Sequence, residues 1–165
     1  MMLWIVLSCG TKEEIIELDL IDISSWNFID YSIDPLIEHQ PEEIDCSISA
    51  IQMEYEQLEM NTDLCNYIAL EFETQKDILA GTTVEALILH TGLWALEDTE
   101  AHFALYINDT LWWEEYPPIP SNTEFFFHEA TITEMLPKGT RVYLHLHNHG
   151  ANDWKFGYFR DIATP

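Results

Sequence analysis

Three histidines at alternate positions, His145, His147 and His149, end the segment Arg141-Val142-Tyr143-Leu144-His145-Leu146-His147-Asn148-His149-Gly150. A strand alternates its side chains with period two, so Tyr143 and the three imidazoles share one face. Val142, Leu144 and Leu146 share the other. Neutral imidazoles offer nitrogen lone pairs at modest pKa, which suits a divalent metal (Zn, Fe or Mn) or a polar ligand. Same-face neighbours on one strand lie about 7 Å apart at Cα, so two rings can share an ion but three from one strand fit poorly. A third ligand would come from His102, His90 or His128.

Three readings of the cluster compete. In the first the histidines serve a turn, with Gly150 supplying a positive φ. In the second His145, His147 and His149 ligate a metal. In the third a polar ligand such as a glycan contacts His102, Tyr106, Tyr143, His145, His147 and Trp154, with an aromatic ring as stacking platform. Other chemistry has no anchor. The chain has no G-x-S-x-G, no P-loop and no G-x-G-x-x-G. Glu114 and Glu115 are consecutive, point to opposite faces and make a poor glycosidase pair.

The elements that must position these residues read as strands. Short alternating runs at 46–55, 64–73, 84–90, 102–108, 111–115, 124–133, 140–148 and 154–159 are separated by turn residues such as Asn108-Asp109 and Lys138-Gly139. A weak helical stripe at 53–60 is the only competitor. The pattern predicts an all-β fold, a jelly-roll-like β-sandwich. Phe103, Leu105 and Ile107 form one face of their strand, and His102, Ala104 and Tyr106 the other. If the aliphatic faces make the core, the outer face of one sheet carries His and Tyr, which suggests ligand contact.

Of 165 residues, 47% are hydrophobic, enough for one domain with a substantial core. The net charge of -24 repels a phosphate backbone and excludes nucleic-acid binding as a working reading. Residues 10–64 hold 15 acids against one base. The expected organisation is a signal-like segment at 1–9, an acidic tether at 10–45 that packs in part, and a sandwich at 46–165.

Val6-Leu7-Ser8-Cys9 resembles a bacterial lipobox, which implies lipidation of Cys9 and export. Cys46 and Cys65 then remain as a pair, and a disulfide between them suits an oxidising compartment. The segment from Gly139 to His147 resembles the first part of the cupin signature, Gly-x5-His-x-His, which implies a metal-binding jelly roll. The glutamate that should follow is missing at 151 and 152. The chain also resembles an uncharacterised group of predicted bacterial lipoproteins. The resemblance rests on His145 to Trp154, on Cys65-Asn66-Tyr67 and on Ile119-Pro120-Ser121. It implies an exported sandwich without a known activity. The expectation is an extracytoplasmic protein, outer-membrane-anchored or secreted, that meets a membrane only through its lipid. It binds a glycan or envelope component through the His/Tyr face. The alternative is a metal-dependent enzyme using His145 and His147.

Overall fold

Alternation of apolar and polar side chains becomes two packed antiparallel sheets. The computed structural model describes residues 17–162, so Cys9 and the run before it lie outside the described residues. The strands are β1 (Glu17–Asp19), β2 (Asn27–Phe28), β3 (Ile51–Glu54), β4 (Gln57–Asn61), β5 (Tyr67–Glu73), β6 (Thr83–His90), β7 (Thr99–Glu100), β8 (His102–Ile107), β9 (Thr110–Glu115), β10 (Pro118–Ile119), β11 (Glu124–Thr131), β12 (Arg141–His147) and β13 (Asp153–Ile162). One sheet has the order β11-β6-β13-β4-β3, with β1 also paired to β13. The other runs β2-β5-β12-β8-β9, and β10 pairs with β7 apart from both. The chain crosses between sheets from β5 to β6, from β11 to β12 and from β12 to β13, a jelly-roll-like alternation.

The inner faces are those the sequence assigned. Val142, Leu144 and Leu146 of β12 and Phe103, Leu105 and Ile107 of β8 meet Ala86, Ile88, Trp154 and Phe156 from the opposite sheet. Each such large side chain contributes about 1.5–3 kcal/mol on burial. The helical stripe expected at 53–60 is instead the β3–β4 hairpin, with Glu54 opposite Gln57. Its two-residue loop, Tyr55-Glu56, has positive φ at both positions (49° and 64°), the twist that suits a tight hairpin. Cross-strand pairing and the burial of Leu58 and Met60 at alternate positions override the helical spacing.

The second face of the β2-β5-β12-β8-β9 sheet is the main departure. It is no open contact surface. Residues 29–46, a strap that follows β2, lie across it. Ile29, Tyr67, Ala69 and Tyr143 form a second small core there, joined by Tyr31, Ile44 and Tyr106. The sheet is therefore buried on both sides at its centre. That explains the uninterrupted apolar run Tyr67-Ile68-Ala69-Leu70, which alternation alone would not give.

Candidate functional site

Three consecutive residues hold the strap, each by different chemistry. Cys65 forms a disulfide with Cys46, its partner in an isolated β-bridge. Asn66 donates through Nδ2 to the carbonyl of Glu43 (3.0 Å) and accepts the Asp45 N–H (2.9 Å). Tyr67 donates its hydroxyl to the buried Asp34 carboxylate. Asp34 in turn accepts the Leu36 N–H at 2.8 Å, and Gln40 Nε2 donates to the Tyr31 carbonyl at 2.7 Å. Burial and the neighbouring carboxylate push the Tyr67 hydroxyl far above its ordinary pKa, so it stays a donor.

The strap delivers His39 to the sheet. His39 ends a single 3-10 turn, Ile37–His39, and its Nδ1 lies 3.0 Å from Nδ1 of His102 on β8. The ring of His145, from the adjacent strand β12, has its centroid 5.1 Å from that of His102 and 6.1 Å from that of His39. One nitrogen of each ring can be chosen so that all three lie within 4.8 Å of one another. His102 Nε2 lies 3.3 Å from Glu114 Oε2, and the Tyr116 ring stacks on His102 at 4.3 Å. The Tyr116 hydroxyl donates to the same carboxylate oxygen at 2.9 Å. His145 is only 2% exposed, and neither of its ring nitrogens has a hydrogen-bond partner among the described residues. Burial first, then the neighbouring imidazoles, hold its pKa well below the ordinary value. Burial likewise lowers that of His102, against the opposing pull of Glu114. Both rings are neutral at pH 7.

The expected ligands fall differently. His145 joins the group, and so does His102, one of the candidates for a third ligand. His147 and His149 stand outside it, paired with each other at 4.8 Å between ring centroids. Strand geometry is the reason: same-face neighbours diverge along β12, whereas His102 approaches His145 from the next strand. His90 is buried against Trp154 and Phe126, and His128 stacks on Trp113. His39 was missed, because 63 residues separate it from His102 and nothing in its surroundings marks it as a ligand.

The contact face expected on His102, Tyr106, Tyr143, His145 and His147 is corrected too. Tyr143 is 7% exposed beneath the strap, and Tyr106 packs on the same small core. Trp154 is wholly buried between the sheets, and its indole N–H donates to Asn148.

An open cleft lies elsewhere, at the end of the sandwich. It holds about 500 Å³ and is lined by Trp94, Leu96, Glu97, Asp98, His149 and Gly150. Two neighbouring segments fix the loop that carries Trp94. Leu93 exchanges both backbone hydrogen bonds with Ser121 (2.9 and 3.1 Å), just after the cis Ile119–Pro120 peptide. The Trp94 N–H donates to Asn152 Oδ1 at 2.7 Å, and Asn152 Nδ2 donates to the His149 carbonyl at 3.1 Å. Beside it Asn148 Nδ2 donates to Thr62 Oγ1 (2.9 Å), which donates to the Gly150 carbonyl at 2.8 Å. Trp94 stays 59% exposed while its N–H and the residue before it are held.

The sequence matches no family model, and no curated protein matches it. Solved structures share the architecture at low identity. The K3 cleaved adhesin domain of Lys-gingipain from Porphyromonas gingivalis is 8% identical, with a TM-score of 0.50 over 88% of this chain and 98% of that one. A CBM4 structure is 8% identical at a TM-score of 0.44, over 86% and 97% of the two chains. TmCBM61, solved with β-1,4-galactotriose, is 9% identical at 0.44, over 74% and 88%. At such identities the likeness is one of fold, and the fold is a β-sandwich.

The cleft therefore offers one exposed indole, an imidazole and two carboxylates on a braced loop. That is a surface for a ring with an apolar face and several hydroxyls. The histidine cluster offers nitrogen lone pairs and is roofed by the strap.

Proposed function

We propose that this chain is an exported, lipid-anchored glycan-binding module that works at the cell envelope. The observation that carries the glycan reading is the cleft: Trp94 is exposed, yet its N–H is held by Asn152 and the preceding Leu93 is paired with Ser121. A rigid exposed indole can stack on the apolar face of a pyranose, while Glu97, Asp98 and His149 receive and donate hydrogen bonds around its rim. The net charge of -24 disfavours sulfated or uronate-rich polymers, so the ligand class is a neutral glycan. The Cys46–Cys65 disulfide supports an oxidising compartment, and the lipobox-like Val6 to Cys9 supports the anchor.

The test is affinity electrophoresis through gels carrying a panel of neutral polysaccharides, repeated with Trp94→Ala. The wild-type chain is retarded by at least one polymer, and the variant loses at least about tenfold in affinity. Its melting temperature stays the same, because the indole is mostly in solvent. Retardation by none of the polymers, or retardation that Trp94→Ala leaves intact, refutes the reading.

A further inference from the structure

We infer that His39, His102 and His145 form a transition-metal site, occupied by zinc, that cross-links the strap to the sheet. The inference goes beyond the glycan reading and stands independently of it.

Geometry comes first. A tetrahedral zinc ion binds imidazole nitrogen at about 2.0–2.1 Å, which puts ligand nitrogens about 3.3 Å apart. The chosen nitrogens of these three rings lie within 4.8 Å of one another, and the Nδ1 atoms of His39 and His102 are at 3.0 Å, so the ideal spacing sits inside the observed range. The widest separation need close by no more than about 1.5 Å to reach that spacing.

The tautomers agree. With the Nε2 proton of His102 shared with Glu114, its Nδ1 lone pair faces His39. A carboxylate that orients a ligating imidazole from behind is the usual support of a metal-bound histidine. Tyr116 holds that carboxylate in turn and covers the His102 ring.

The second, independent observation is His145. A buried imidazole with two unpartnered nitrogens loses hydration that nothing repays unless something replaces the water. Polar groups at hand leave it alone: Tyr67, 4.9 Å away between ring centroids, donates to Asp34 instead. A metal satisfies one of the nitrogens and removes part of that cost. All-nitrogen ligation excludes calcium and magnesium, which take oxygen, and suits zinc. His39 is the exposed member, so the fourth position opens to solvent on its side.

The consequence is mechanical. Two ligands belong to the sheet and one to the strap. The disulfide, Asn66 and Tyr67 place His39, and the ion would lock it.

The experiment uses the full, oxidised chain, stripped with chelator and dialysed against zinc chloride in 0.15 M salt, with calcium chloride as control for the acidic surface. The expected result is one zinc per chain, with a dissociation constant below about 1 μM, and no stoichiometric calcium. Cobalt(II) in its place gives the intense visible absorption of a tetrahedral site. His39→Ala and His145→Phe each weaken zinc at least about tenfold, and Glu114→Gln weakens it about 10–100-fold. His128→Gln leaves it unchanged. His145→Phe loses no hydrogen bond, so it folds and keeps the test decisive. In the wild type, zinc also slows proteolysis between residues 29 and 46. Zinc that binds only substoichiometrically overturns the inference, and so does zinc that binds equally to His39→Ala. Glycan retention is measured in chelator, where it depends on the Trp94 cleft and not on the histidine cluster, so one reading can fail without the other.

Discussion

Replacing Gly150 by alanine separates two costs that usually arrive together. Among the described residues three glycines have positive φ: Gly81 at 90°, Gly139 at 84° and Gly150 at 95°. An L-residue held there costs about 1–2 kcal/mol. At Gly81 and Gly139 a Cβ would meet nothing within 4 Å, so that cost stands alone. At Gly150 a Cβ would sit 2.1 Å from the Trp94 carbonyl oxygen and 3.3 Å from the Ala95 Cα. The carbonyl must retreat by about 1 Å to reach ordinary contact. That shift strains the adjoining Trp94 N–H bond to Asn152 Oδ1, and losing this half-buried bond costs about 1–3 kcal/mol more. Gly150→Ala should thus cost about 2–5 kcal/mol against about 1–2 for Gly139→Ala. At about 2–4 °C per kcal/mol for a domain of this size, the two melting temperatures should differ by several degrees. Circular dichroism melts of both variants in chelator check this, and affinity electrophoresis reports on the cleft, which Gly150→Ala alone should impair. If Gly150→Ala melts with Gly139→Ala and keeps its ligand, the loop is not braced as argued.

The strap and its histidines give two more expectations. Removing the disulfide with Cys46→Ser/Cys65→Ser opens a loop of 19 residues' separation and costs about 3 kcal/mol, a drop of about 6–12 °C, with faster cleavage between residues 29 and 46; an unchanged melting point would show that hydrogen bonds alone hold the strap. Stability should also fall with acid in a defined window. Burial lowers the pKa of His90, His102, His128 and His145, and burial with the nearby His149, His39 and His102 pushes His147 to about 4. The unfolded chain takes up these protons as pH falls through about 6.5 and the folded one does not. Their contribution is therefore complete above pH 6.5 and is lost toward pH 4, by at most about 1.4 kcal/mol per pH unit for each proton. Melting curves in chelator from pH 7.5 to 4.5 should show the decline, with a shallower slope for His147→Gln; a flat profile would contradict the neutral, buried rings.

The inner faces of β8 and β12 were legible because period two is a strong signal when one side is aliphatic. The other side of the same sheet was misjudged because His, Tyr and Ala tolerate both water and burial. Only the covering strap decides between them. Its residues look like a tether in composition, with 15 acids against one base over 10–64, yet Ile29, Tyr31 and Ile44 are enough to seat it. One clue was present. Tyr67-Ile68-Ala69-Leu70 does not alternate, and a strand that is apolar on successive residues has two buried faces. His39 carried no such clue, since the pairing that brings it to His102 is set by tertiary structure. Trp94 was passed over for the same reason: a lone tryptophan in a loop says nothing until its backbone partners are known.

The segments Cys65-Asn66-Tyr67, Ile119-Pro120-Ser121 and Asn148 to Trp154 share a physical role that their residue types conceal. Cys65-Asn66-Tyr67 fastens the strap by a disulfide, by backbone clamps and by a phenol on a buried carboxylate. Ile119-Pro120-Ser121 and the run from Asn148 to Trp154 fasten the Trp94 loop from two sides. In that run the polar residues divide the work: the asparagines satisfy backbone and indole groups and Gly150 gives the space, whereas His145, just before it, keeps two nitrogens without a partner among the described residues. A side chain kept for structure finds a partner when it is buried. Asn148 and Asn152 do so completely, and His145 not at all. Among the described residues His145 alone has two such unpartnered, buried nitrogens, which is why the zinc proposal centres on it while the asparagines serve architecture.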